Sequence, residues 1–175
     1  MKDIRLQPTS SEKLALVSKI RDEFWSSNPP KLPEGWRGLC DNVKCEHYWE
    51  GIEETNLFWG KDWSALKRDD FKKCSRVFSW LPDESLAYFL GGYMVLSIQE
   101  EPYDYGFTEL FHLFDPREER RKRAKQTWAM NRAKVAPLST NQRTIVAEYL
   151  RFLEATGYAE DTSFLQGFML GDIRE

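Results

Sequence analysis

Residues 81–98 read LPDESLAYFLGGYMVLSI, and this stretch decides the fold class. Pro82, Asp83 and Glu84 suit a helix start, because proline is tolerated in the first turn and acids there complement the helix dipole. The run LAYFLGGYMVLSI that follows is apolar nearly all round, the pattern of a helix buried on every side. The spacing therefore predicts a central apolar helix over 82–98. Gly91 and Gly92 interrupt it, and each costs about 1 kcal/mol relative to alanine inside a helix. Such a pair points to a kink or to the close approach of a neighbouring element.

Helical signals continue on both sides of this run. Thr9 with Glu12 is a capping-box pattern that opens a helix through about Trp25, with Leu14, Val17, Ile20 and Phe24 on one apolar face. It should stop in SSNPPKLPEG, and residues 27–38 read as a loop because proline and glycine prevent regular structure. A second helical pattern runs from Asp41 to about Leu57, with Cys45, Tyr48, Trp49 and Ile52 on one side. Gly60 breaks it, and Asp62-Trp63-Ser64 begins a new turn. A helix near Asp69 or Asp70 would bury Phe71, Cys74, Val77 and Phe78, its acids suiting the N-terminus.

Downstream, Phe107, Leu110, Phe111 and Phe114 define an amphipathic helix that ends near Asp115-Pro116. Ser139 with Gln142 is a second capping box, opening a helix through about Ala155 with Ile145, Tyr149, Phe152 and Leu153 inward. Gly157 is placed as its C-terminal cap, and a short helix follows over 162–170. Neither strand alternation nor a repeat is visible. The expected architecture is all-α: one compact helical domain over 1–175, with six to eight helices around the 82–98 helix.

The 175 residues suit one domain, and 41% hydrophobic with 14% aromatic residues can form a substantial core. No stretch approaches the ~18 continuous apolar residues of a membrane span. The N-terminus carries no apolar secretory run, and three cysteines make no disulfide framework, so a cytoplasmic location is expected. The net charge of -3 hides a segregated distribution. Residues 1–116 carry a net -6, residues 117–134 (REERRKRAKQTWAMNRAK) a net +6, and the remainder a net -3.

That basic segment, with Trp128 among arginines and lysines, offers a nucleic-acid reading. A short run in an acidic chain lacks the strongly basic balance of a nucleic-acid binder, and a solvated or self-paired segment explains it better. Cys40, Cys45 and His47 form the most metal-like cluster, which Cys74 or His112 could complete as a four-ligand zinc site. The Cys-x4-Cys spacing is wide and the usual second pair is missing, so packing cysteines are the simpler reading and no cofactor is expected. A redox pair at Cys40 and Cys45 would need a positive field that the neighbouring residues do not supply. Glu46, Glu50 and Glu53 share one helical face, with Glu54 beside them and Asp69-Asp70 as a second acidic cluster. None of these acids begins a Glu-x-x-His, and phosphate loops, GxSxG and HExxH are absent.

The order Cys40…Cys45, then WGKDWSAL, FSWLPDESLAYFLGGYM and LSTNQRTIVAEYLRFLE resembles a family of uncharacterised bacterial helical proteins, a domain-of-unknown-function group. Gly60, Lys61 and Trp63 match its turn, Leu81 to Met94 its core helix, and Leu138 to Leu153 its last helix. The likeness covers roughly residues 40–153, with 117–134 in the variable part. The cysteine spacing is wider here, and Gly91-Gly92 stands where the family has a small residue or proline. The resemblance implies an all-helical domain and carries no activity with it.

An acidic surface with aromatic residues among its charges is a suitable docking face for a basic protein, since it supplies both steering and anchors. The expectation is a non-enzymatic protein-binding domain, of the kind of a bacterial immunity protein that neutralises a toxin or effector by covering its active surface. The residues expected at that face are Glu46, Trp49, Glu50, Glu53, Glu54, Trp59, Trp63, Asp69 and Asp70. A Cys/His zinc or redox protein and a nucleic-acid factor using 117–134 are the alternatives.

Overall fold

Local capping chemistry sets the first helix. The structure, a computed structural model, describes residues 8–25, 53, 55–74, 78, 81, 83–100, 133, 135–159 and 161–171. Helix α1 spans Ser10–Phe24, and its capping box is complete: Thr9 N–H donates to Glu12 Oε2 at 2.7 Å and Glu12 N–H to Thr9 Oγ1 at 3.2 Å. The Thr9 N–H, and then the Thr9 hydroxyl, by donating to the Glu12 carboxylate hold it below its ordinary range. The buried stripe is Leu16, Val17, Ile20 and Phe24. Leu14, expected on it, is 68% exposed. At about 100° per residue, Leu14 lies about 105° from the centre of that stripe, whereas Leu16 falls within it.

The expected turn at Asp62 is a 3-10 turn over Trp63–Ala65, capped by Ser64 N–H donating to Asp62 Oδ1 at 2.8 Å. Helix α2, Arg68–Lys73, follows with Asp69 and Asp70 in its first turn. Helix α3, Asp83–Gln99, is the apolar run. Leu86, Phe89, Leu90 and Met94 are wholly buried along one face, and Tyr88 and Val95 are buried on the opposite side. Helix α4, Thr140–Thr156, begins at the Ser139 box (Gln142 N–H to Ser139 Oγ, 3.1 Å) and ends at Gly157, whose φ of 80° is the left-handed cap. Helix α5 covers Ser163–Leu170. Among the described residues there are five α-helices and no strand, so the fold is all-helical. The pattern over 41–57 is described only at Glu53 and beyond Thr55. The 27–38 loop, Val77, the 107–114 helix and, apart from Ala133, the 117–134 segment lie outside the described residues.

Packing explains the paired glycines. Helix α3 lies against α1 and against the Trp63 turn, while α4 packs on α1 and α5 on α4. A Cβ on Gly91 would stand 2.5 Å from Phe24 Cβ of α1, and one on Gly92 would stand 2.7 Å from Trp63 Cβ. Two elements thus approach α3 on adjacent residues, and only glycine leaves room for both.

Aromatic rings fill the space between α3 and the 58–78 stretch. Phe58 meets Phe71 and Phe89 edge-on at 5.1 and 5.5 Å, and Tyr93 meets Phe71 and Phe78 at 5.2 and 5.4 Å. Burying each such side chain contributes roughly 1.5–3 kcal/mol. One polar link crosses the core: Ser97 Oγ donates to Met94 O at 2.9 Å and pairs with the Tyr149 hydroxyl at 2.6 Å. Because the Ser97 proton is used on Met94 O, Tyr149 is the donor in that pair. Outside the core, Gln142 Nε2 donates to Glu23 O at 2.9 Å and Lys19 pairs with Glu148 at 2.7 Å, joining α4 to α1.

Candidate functional site

The nine residues expected at a partner face divide by position. Glu53 is helical and exposed, and Asp69 is exposed in the first turn of α2. Asp70 is half-buried and already engaged, accepting from Lys67 N–H at 2.9 Å and pairing with Lys61 at 3.3 Å. Its carboxylate holds the start of α2 and leaves less charge for a partner. Trp59 is half-buried and stands edge-on to Phe89 at 6.1 Å, so one part of its ring belongs to the core. Glu46, Trp49, Glu50 and Glu54 lie outside the described residues.

Trp63 is only 4% exposed. Its backbone N–H donates to the Tyr88 hydroxyl at 3.1 Å, and its ring lies against Gly92 of α3. It is a packing residue with little surface to present. Its polar neighbours Lys61, Asp62 and Ser64 suggest an exposed position in sequence, but Gly92 makes the space that buries it. The indole N–H has no hydrogen-bond partner among the described residues. The Tyr88 phenol is shifted up, chiefly by burial.

Among the described residues the exposed tryptophan is Trp25, the C-cap of α1, at 56% exposure. It stands at a cleft of about 440 Å³ where the last turn of α1 meets the Trp63 turn and the second half of α3. Arg21 and Asp22 line it from α1, Ser64 from the turn, and Val95, Leu96 and Gln99 from α3. Beside it the Asp62 carboxyl is held below its ordinary range, first by the Ser64 hydroxyl and backbone N–H, with the Trp25 indole a further donor. No sequence motif marks this cleft. Its only linear signal is a tryptophan at the end of a capped helix, just before a proline-rich stretch.

Of the metal-like residues, Cys40, Cys45, His47 and His112 lie outside the described residues. Cys74 is fully buried at the end of α2, as a packing cysteine would be. Among the described residues no group of three or more His, Cys, Asp or Glu is placed to hold a metal. No described helix is long and apolar enough to cross a membrane.

No curated protein and no solved structure matches the chain. A family model does, and its match spans the start of the buried stripe of α1 to the middle of α5, taking in the Trp63 turn and the apolar helix. With residues 16–166 matched, the chain belongs to a family of unknown function, DUF6714.

Proposed function

We propose that this chain is a non-enzymatic protein-binding domain, most concretely a bacterial immunity or inhibitor protein that covers the active surface of a basic toxin or effector in the cytoplasm. The scaffold we assign to it is one domain over 1–175, of six to eight helices around the 82–98 helix. The observation that carries the reading is the exposure of Glu53 and Asp69 on either side of the half-buried Trp59 in sequence. Both carboxylates are exposed in the same stretch of chain as a ring that packs edge-on against Phe89 of the core. Fixed aromatic rings make good anchors because little side-chain freedom is lost on binding. The net -6 over residues 1–116 adds a long-range attraction for a basic partner.

On this reading Glu46, Trp49, Glu50 and Glu54 extend the same face, and the partner meets acids at its rim. Trp63 packs on Gly92, while Asp70 holds the start of α2 through Lys61 and Lys67. The test is protection. A basic toxin encoded beside the gene should stop growth when expressed alone, and the wild-type chain should restore it. The Glu53→Lys/Asp69→Lys double variant should restore growth poorly. Equal protection by both chains, or none by either, overturns the reading.

A further inference from the structure

We propose that the cleft between α1, the Trp63 turn and α3 receives a single cationic side chain, a lysine or an arginine, from a protein partner. As a physiological contact this rests on the protein-binding reading above, but the chemistry of the cleft stands on its own geometry.

Three features select a cation. First, two helices bring their C-terminal ends to the cleft: Asp22 and Trp25 belong to the end of α1, and Leu96 and Gln99 to the last turn of α3. Each such end carries about half a negative charge on its outward carbonyls. The last turn of α3 has no basic residue of its own to offset it. The Asp22 carboxylate lines the cleft, and that of Asp62 is held in its charged form beside it by Ser64. Arg21, the single cation in the lining, offsets Asp22 there, and the negative balance comes from Asp62 beside the cleft and the two helix ends.

Second, the Trp25 indole is exposed at this site, and an indole face is the best aromatic surface for a cation. Third, Val95 and Leu96 give the lining an apolar part against which the methylene stem of lysine or arginine can lie. An anionic group would meet Asp22 and two helix C-termini, and a purely apolar one would leave those charges without a partner. At about 440 Å³ the cleft has room for one long side chain with part of its hydration.

The test uses the full chain and small probes, so it does not need the partner. Amide NMR spectra are recorded while N-acetyl-lysine amide or N-acetyl-arginine amide is added, with the leucine and glutamate counterparts as controls. The expected result is saturable shifts at the Ser64, Gly92 and Gln99 amides and the Trp25 indole, with either cationic probe binding at least about three-fold tighter than both controls. The stronger of the two cationic probes identifies the preferred side chain. Asp22→Asn and Trp25→Ala should each weaken binding by about two-fold or more, whereas Arg21→Gln should strengthen it by removing the like charge. All three positions are exposed, so the variants should keep the fold, and unchanged shifts elsewhere in the spectrum verify this.

Preference for the leucine or glutamate probe, no saturable shift with the cationic ones, or weaker binding in Arg21→Gln overturns the proposal. A failed cleft leaves the Glu53–Asp69 face untouched. Conversely, failed protection in cells leaves the preference of the cleft as measured.

Discussion

Among the described glycines, the adjacent pair Gly91 and Gly92 carries the tightest constraint. An alanine at either position gains about 1 kcal/mol of helix propensity. It also puts a methyl group 2.5–2.7 Å from a Cβ anchored to another backbone segment. That overlap is relieved only by moving α1 or the Trp63 turn, at a cost of about 1–3 kcal/mol or more. Gly91→Ala and Gly92→Ala should therefore each lower the urea midpoint, despite their better helix propensity. Trp63→Phe should not rescue Gly92→Ala, because the contact is with Trp63 Cβ, which phenylalanine keeps. A rise in the midpoint for either glycine variant would contradict the close approach.

The buried phenols couple the stability of the fold to pH in the alkaline range. Burial raises Tyr93 well above its ordinary value and raises Tyr149 as well, so the fold favours their neutral forms. Tyr93 has no hydrogen bond of good geometry among the described residues, although Tyr149 is near enough to act on it. A folded-state value above the unfolded one means that the protonated fold is favoured. The stabilisation is complete below about pH 10, the unfolded value, and is lost as pH rises towards the folded values. Thermal melts should be unaffected by these groups at neutral pH and fall above about pH 10. Tyr149→Phe should make that fall shallower; an unchanged slope would show that Tyr149 does not contribute.

Elements were legible in sequence where their signals were local. Both capping boxes, the Gly157 cap and the turn at Asp62 depend on residues within a few positions of each other, and each is found as read. The face of α1 was less legible, because 14, 17, 20 and 24 and 16, 17, 20 and 24 are both apolar series. Contact with α3 and α4 decides between them. The burial of Trp63 depends on Gly92, 29 positions later, and the cleft on three segments remote in sequence, so neither has a linear signature. The Ser139 box also fixes Gln142, which donates to Glu23 O of α1. Ser139→Ala should cost about 1 kcal/mol, as a lost N-cap does. It should also speed hydrogen exchange at the start of α4 before the centre of that helix is affected.

For the whole molecule, the proposed function is binding of a basic protein through Glu53, Asp69 and the residues expected around them. Charge segregation makes this binding sensitive to both salt and charge reversal, since the fields of -6 and +6 regions cancel in the net charge but not at a surface. The most direct measurement is native mass spectrometry of the tagged chain purified gently from its own cells, beside the Glu53→Lys/Asp69→Lys variant. The expected result is a one-to-one complex of the wild-type chain with a basic polypeptide, weakened as salt rises and largely lost in the variant. A wild-type chain recovered without a stoichiometric protein, or a variant that retains the same partner equally well, would contradict it.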